Sequence, residues 1–344
     1  MMTYQIGQGI QFPELELAHD DVHLHANGLG GYIISASALS SWSRCPLAKF
    51  YDDRARYDSE APQPKRLSAT QFGSVMHVVL MQMDRNIHEG REDAREEAMR
   101  TFVHYWNPEN IGAICEPVDT WIGRQTYGGL RDKGRDAIKS LYEVLAKEEV
   151  WRLAHEYRFA VPITVAGRTH TLQGFVDRLA IRKHTNKRPY LDVLDWKSGK
   201  QHKNLRAHIQ GHIYSYASTL PEFWFGWPES GLGDMDTFSD ESVAVIEKGM
   251  VDWGFSLHRG SHWELPLAAR RFRWGNVMEA KFADGGWRSE RDYARLGLIV
   301  DGYVRAREAS AYTASTDGEF CQNCSHKGYC GGIGFPEKND GAPL

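Results

Sequence analysis

Asp195 and Lys197 stand two apart at the end of the apolar run YLDVLDW. On a strand, that spacing sends both side chains to one face. A carboxylate and an ammonium leaving a buried strand together carry a desolvation cost unless something uses them. A hard divalent cation such as Mg2+ would use the carboxylate, because it takes oxygen ligands. It could polarise a phosphate and lower the pKa of a bound water. The lysine could orient that water or offset charge developing on the phosphate. A second carboxylate, Asp177, lies in the preceding run TLQGFVDRLAI. An Asp followed by Asp-x-Lys on the neighbouring strand is thus the donor pattern of a metal-dependent phosphodiesterase centre. For Asp-x-Lys alone the alternative is a strand-end salt bridge beside a solvent-facing aspartate.

The elements that must position these groups are legible in the surrounding pattern. VPITV, TLQGFVDRLAI and YLDVLDW alternate apolar and polar residues and predict three strands. Gly167 and the cluster Asn186 to Pro189 supply the turns. KNLRAHIQGHIYSYASTL predicts a helix, with Leu205, Ile209 and Ile213 four apart. Upstream, TQFGSVMHVVLMQM predicts a helix within residues 69–83 that places Gly73 and His77 on one face. A lone histidine there is ordinarily a packed core residue, and it is Asp177 and Asp195 that make His77 a candidate ligand.

Further from the centre, Ser37 is expected to cap a helix carrying Leu39 and Trp42. Residues 86–153 read as a mainly helical insertion. EGREDAREEAMRTFVHYW and GLRDKGRDAIKSLYEVLAKEEVWRL are its helices, and residues 107–129 its loop. Trp106, Trp121 and Tyr127 in this block suit packing against the sheet, with base stacking as the alternative. FWFGW, SVAVIEKG, WGFSLHR and WELPLAARRFRW are expected strands, and residues 288–309 a helix.

Composition sets the class. The chain has 344 residues, 42% of them apolar and 25% charged, as in an ordinary soluble globular protein. It contains no run of 18 apolar residues and opens on no secretory signal, so the expectation is no membrane span and a cytoplasmic location. For the function considered below, that extends to the nucleoid or a phage-infected host cytoplasm. Net charge is −4, unlike a typical nucleic-acid binder. The distribution differs from the total. Residues 152–206 hold 12 Lys and Arg against 4 Asp and Glu, a local +8, and the rest of the chain carries −12. A phosphate backbone would call for such a basic stretch, and a solvated basic hairpin around Arg182, Lys183, Lys187 and Arg188 would also produce it.

Five cysteines occur, and Cys321, Cys324 and Cys330 form a Cys-x2-Cys-x5-Cys cluster. Disulfides are not expected in a cytosolic chain. Three clustered thiolates need a fourth ligand, which Cys45 supplies if the two ends of the chain meet. Zinc suits such a set as well as an iron–sulfur cluster does, and His326 could replace one thiolate. Cys115 falls outside the pattern and reads as a structural thiol.

GFVDRL followed by LDWKSGK resembles motifs II and III of the PD-(D/E)XK nucleases, in their RecB-like branch. That branch pairs Gly-x-x-Asp-Arg with Asp-x-Lys-x-Gly. It places Gln-x-x-x-Tyr on the next helix, matched by Gln210 and Tyr214, and a helical Gly-x-x-x-His upstream, matched by Gly73 and His77. The segment with Ser37, Leu39, Trp42, Cys45-Pro46 and Phe50 resembles the opening of the same domain. The resemblance implies a restriction-endonuclease-like α/β core, a mixed central sheet flanked by helices. His77, Asp177 and Asp195 would hold Mg2+ or Mn2+, and Lys197 would be the catalytic lysine. Gln210 and Tyr214 would support the site or touch DNA. Glu156 stands where many relatives carry a glutamate and is the weaker match. In relatives of the AddB and exonuclease V type, one cysteine before the nuclease motifs joins three after them around a 4Fe–4S cluster. By that likeness Cys45, Cys321, Cys324 and Cys330 would form an iron–sulfur staple joining the N- and C-terminal parts.

The domain plan that follows is an N-terminal arm or edge strand (1–33), a nuclease domain (34–335, with the cysteine segment at 310–335) and a tail (336–344). No Gly-x-x-x-x-Gly-Lys-(Ser/Thr) loop is present, so the chain is not a helicase–nuclease fusion. The expected partner is DNA, single-stranded or with a free end, with a helicase or recombination protein as a further partner. Two alternatives stand beside this reading. One is a catalytically silent DNA-binding module of the same fold, and the other is a zinc-binding structural protein.

Overall fold

The computed structural model describes residues 27–57, 66–111, 121–122, 126–184, 187–198, 208–230, 232, 238–239, 241, 248, 270–286, 288–309, 312–313, 321, 324 and 326. Two long strands carry the fold. β4 (Val150–Val165) and β5 (Arg168–His184) form an antiparallel hairpin. Ala166 and Gly167 join them at φ of 50° and 75°, the left-handed pair that a type I′ turn requires. β5 shares its other edge between two partners. β1 (Ile33–Ser35) runs parallel to Thr171–Gln173, and β6 (Lys187–Lys197) pairs antiparallel with Arg178 to His184. Residues 174–177 of β5 therefore lie in the fork between the β1 and β6 ladders. β7 (Arg270–Asn276), parallel to β6, and β8 (Lys281–Gly286), antiparallel to β7, complete a mixed sheet of six strands. A separate parallel pair joins β2 (Arg66–Leu67) to β3 (Trp121–Ile122).

Helices cover both faces. α1 (Ala36–Arg44), α6 (Ile209–Ala217), α7 (Pro221–Phe225) and α8 (Glu290–Glu308) enclose one core around Leu39, Phe159, Val176, Ile213, Trp224 and Val300. α3 (Ser68–His88), α4 (Ala94–Tyr105) and α5 (Tyr127–Leu145) enclose another around Phe72, Met76, Phe102, Leu141, Leu194 and Trp196. α2 (Pro46–Tyr57) packs a small third cluster, in which Cys45, Leu47 and Phe50 meet Tyr312. This is the mixed sheet between helices that the motifs imply.

Several local expectations need correction. Ser35, not Ser37, caps α1, its hydroxyl accepting from the Ala38 amide at 3.1 Å. The helix expected to run through Leu153 stops at Leu145, because Val150 to Leu153 belong to β4. Arg152 also reaches back to cap the last turn of α5 by donating to the Leu145 carbonyl. Tyr127 to Gly129, expected as loop, open α5 under a Thr126 cap. FWFGW is no strand: Pro221 starts a short helix that buries Phe223 and Trp224. Lys187 to Pro189 lie in β6 rather than in a turn, and the register shift beside Arg182 accommodates a proline with no N–H to give. Trp106 is buried and stacks between Phe102 and Tyr127, so both it and Tyr127 pack the interior. Residues 1–26, Cys115, Leu205, Cys330, WGFSLHR, most of SVAVIEKG and the tail lie outside the described residues.

Asn27 ties the start of the described chain to the sheet by donating to the Thr169 carbonyl and the Thr171 hydroxyl. The segment before residue 34 thus includes part of an edge strand.

Candidate active site

Three strands set three carboxylates in a row. The β4–β5 ladder pairs His155 with Arg178 and Tyr157 with Val176, which leaves Glu156 opposite Asp177. The β5–β6 ladder ends at the pair Arg178 and Leu194, so Asp177 and Asp195 are the next residues beyond its end. Glu156 has a φ of 49°, a left-handed conformation uncommon for a residue with a side chain. Its effect is visible in the alternation. His155 contacts Asp84 of α3, whereas Tyr157, two residues on, enters the opposite core. The strand turns over at Glu156, and that turn brings the carboxylate beside α3.

His77 comes from α3. Its Nδ1 lies 3.5 Å from Asp177 Oδ2 and 3.8 Å from Glu156 Oε1. Among the described residues, His77, Glu156 and Asp177 are the one group of three donors close enough to share a single ion. Gly73, one turn earlier, lets α3 approach the site, because a Cβ there would stand 2.8 Å from Ser198 Oγ. Asp195 is not in the three-donor group. It lies almost fully buried, and its Oδ1 accepts from Lys197 Nζ at 2.7 Å. Its Oδ2 is buried with no protein partner. Asp177 accepts from the Trp196 amide, which locks the two strands together at the fork. From α6, Gln210 Nε2 donates to Tyr214 Oη at 3.2 Å, and Tyr214 packs edge-on against Phe159.

The protonation states follow from crowding. Burial disfavours a charged His77, but the Asp177 charge and hydrogen bonds to Asp177 and Glu156 outweigh it and push its pKa up to about 10. Burial likewise opposes ionisation of Asp177, and the His77 charge still holds that carboxylate below its usual range. Asp195 moves the other way. Burial raises it, Asp177 adds to the rise, and Lys197 only partly offsets them. Burial works against a charged Lys197, yet Asp195 and Asp177 keep it an ammonium. Tyr214 is held neutral, first by burial and then by the two aspartates.

This donor set fits a hard divalent cation. Buried carboxylates crowd together, one oxygen is unpartnered, and a protonated imidazole fills the space where positive charge is wanted. A cation held there would displace the His77 proton, since a ligating imidazole must be neutral.

Behind the site lies a charge network in which only Arg178, through Gly-x-x-Asp-Arg, has a signal in the sequence. Arg178 leaves β5 into the α3 layer, fully buried. Its Nη1 donates to Asp84 at 3.3 Å and Glu148 at 3.0 Å, and its Nη2 to Asp192 at 3.3 Å. Asp84 also pairs with Arg152 at 2.7 Å and His155 at 2.8 Å, and Arg273 bridges Asp192 and Glu148. Asp84 stands two turns after His77 on α3, so Arg178 clamps the helix that carries His77 to the strand that carries Asp177.

On α6, His212 is buried and neither ring nitrogen has a hydrogen-bond partner. Burial, then the Arg288 charge, pulls its pKa down to about 4. The unfolded chain protonates near 6.5 and the fold does not, so this stability is present above pH 6.5 and is lost as pH falls towards 4. Thermal unfolding should therefore become less acid-sensitive across that window in His212→Leu, by up to about 3 kcal/mol. Equal acid sensitivity in both proteins would reject this.

Beside α2, Cys324 packs against the cluster containing Cys45, and the Leu47 amide donates to the Thr313 carbonyl at 3.1 Å. His326 Nε2 meets Asp52 at 2.7 Å. Described residues from 45–52 therefore do meet residues from 312–326. Among the described residues Cys45, Cys321 and Cys324 do not converge on one ion, and Cys330 lies outside them.

Comparison with known proteins decides the family. A profile of the PD-(D/E)XK nuclease superfamily matches residues 33–331. The chain belongs to the PD-(D/E)XK nuclease superfamily. The matched span includes α3, β4, β5, β6 and α6, the elements that carry the candidate residues. No curated protein matches the chain. A solved structure titled "Crystal structure of SSO0001" matches at 11% identity, covering 83% of this chain and 94% of its own, with a TM-score of 0.29. That score is too low to bear on the fold.

Proposed function

We propose that this protein is a metal-dependent deoxyribonuclease, an exonuclease of the RecB-like branch acting on single-stranded DNA or DNA ends. The observation that carries this is the convergence of His77, Glu156 and Asp177 near the buried Asp195–Lys197 pair, in a chain of this superfamily. Mg2+ or Mn2+ held by His77, Asp177 and Asp195, with Glu156 within reach, would supply charge to the scissile phosphate and acidify a bound water. The chain's own groups do the rest. Lys197 stays protonated, so it donates towards the phosphate rather than taking a proton, and it offsets charge as the bond breaks. Asp195 aims that ammonium at 2.7 Å. On α6, Gln210 donates to the buried, neutral Tyr214, and this pair supports the site beside the two aspartates.

The roles proposed are repair, recombination or phage DNA metabolism in the cytoplasm, nucleoid or infected host, alongside a helicase or recombination protein. No described helix is long and apolar enough to cross a membrane. The test is degradation of end-labelled single-stranded, duplex and circular DNA with Mg2+, Mn2+ or EDTA. Metal-dependent shortening of the linear single strand, with the circle spared, is expected. A protein that cuts none of them would leave the silent DNA-binding module as the better reading.

We also assign Cys45, Cys321, Cys324 and Cys330 to a 4Fe–4S staple. Its support is the meeting of Cys45 and Cys324 in one packed cluster and a family match that runs through residue 331. Protein purified without oxygen should be brown and contain iron, and Cys324→Ala should be colourless and less soluble. A colourless, stable, zinc-loaded native protein would overturn the cluster.

A further inference from the structure

Phe175 is 51% exposed although it sits in mid-strand on β5, between buried Gly174 and Val176. Single exposed apolar residues are common and need no explanation. This one has two further properties. It lies two residues before Asp177, so both side chains leave the same side of the strand, about 7 Å apart along it. It is also paired across the ladder with Arg158, whose guanidinium lies 5.9 Å from the ring centroid. Arg158 in turn stands two residues after Glu156. An exposed ring with a guanidinium over it thus adjoins the carboxylate row by one strand repeat. The opposite side of the strand is closed here, since a Cβ on Gly174 would meet Phe159 and Ala36.

We propose that Arg158 and Phe175 form a nucleotide platform, taking the base and phosphate next to the scissile phosphodiester of a single-stranded nucleic acid. This rests on the nuclease reading of the adjoining carboxylates. A base has a π-face whatever its identity, so a half-exposed ring binds single strands without reading sequence. The guanidinium matches a phosphate in charge and in its planar pair of donors. Its stacking on the ring fixes both groups before substrate arrives. A duplex keeps its bases stacked on each other, so the platform favours unpaired substrate.

The test is equilibrium binding of a labelled oligothymidylate to the full chain in EDTA, with steady-state cleavage measured in parallel. Phe175→Ala should weaken binding about tenfold, a typical loss for one stacked base. It should raise KM by a similar factor while leaving kcat near wild type. Phe175→Leu, which keeps the apolar bulk, should behave as alanine does, and Phe175→Trp should restore binding. Arg158→Ala should lower the slope of log affinity against log salt by about one. Phe175→Ala binding as tightly as wild type, or Phe175→Trp binding no better than Phe175→Leu, would overturn the platform. Wild-type protein that cleaves with metal but shows these null effects refutes the platform alone. Wild-type protein that never cleaves, yet loses binding in Phe175→Ala, refutes the nuclease and retains the platform.

Discussion

Lys197→Ala should cleave DNA slower than wild type by on the order of a thousandfold, with its affinity for uncut DNA unchanged within about twofold. The ammonium is held at the fork by Asp195 and Asp177, so its loss removes charge stabilisation where the phosphate reacts. Asp195→Asn should be as inactive, for a different reason. It keeps the shape but loses the charge that aims Lys197 and completes the ligand set. The two variants differ in stability. The carboxyl of Asp195 is raised in the fold, so its contribution is full below the unfolded pKa and lost as pH climbs through the folded one. At neutral pH without metal the charged form is a burden, and Asp195→Asn should unfold at a higher temperature than wild type. Lys197→Ala, which strips Asp195 of its cation, should unfold at a lower one. Rate assays and thermal melts on both proteins check this. An active Asp195→Asn enzyme would remove the site assignment.

Arg178→Ala should cost about 3–5 kcal/mol, the usual penalty for breaking a buried ion pair from one side. It leaves Asp84, Glu148 and Asp192 buried without their common partner. Asp84 and Glu148 are both held below the ordinary carboxylate range, despite burial, with Arg178 the first charge responsible in each case. Their contribution is present above the unfolded pKa near 4 and fades as pH falls below it. Urea unfolding at pH 7 and pH 3 would read this directly. The gap between variant and wild type should be wide at pH 7 and narrower at pH 3. A midpoint shift worth less than about 1 kcal/mol at pH 7 would mean the network is not the clamp described. Because the clamp ties α3 to β5, the surviving folded protein should also bind Mn2+ more weakly through a displaced His77.

The proposed site residues are legible in the sequence because their signals are local. Asp177, Asp195 and Lys197 lie in one hairpin-and-return unit where the strand period alone places them. Gly73 with His77, and Gln210 with Tyr214, need only the helical period. Glu156 is the weakest of the set in the sequence, yet it shares the three-donor group with His77 and Asp177, on a strand whose backbone turns left-handed there. No pattern in one strand announces that turn-over. The Arg178 network was hidden because Asp84, Glu148, Asp192 and Arg273 come from four separate elements, and each alone reads as an ordinary charge. Arg178 was visible as part of Gly-x-x-Asp-Arg, but its partners were not. The boundary misses have the same origin. Val150 to Leu153 continue a helical charge pattern and are captured instead by the edge of β5. Phe223 and Trp224 look like strand residues and are made helical by Pro221.

The proposed cation site is built by α3 and three strands of the sheet. Anomalous scattering from a crystal soaked in Mn2+ tests it most directly. One strong peak is expected, bounded by His77, Asp177 and Asp195 with Glu156 adjacent, and it should disappear in Asp177→Asn. Mn2+ elsewhere on the molecule, or no peak beside those carboxylates in a protein that still degrades DNA, would contradict it.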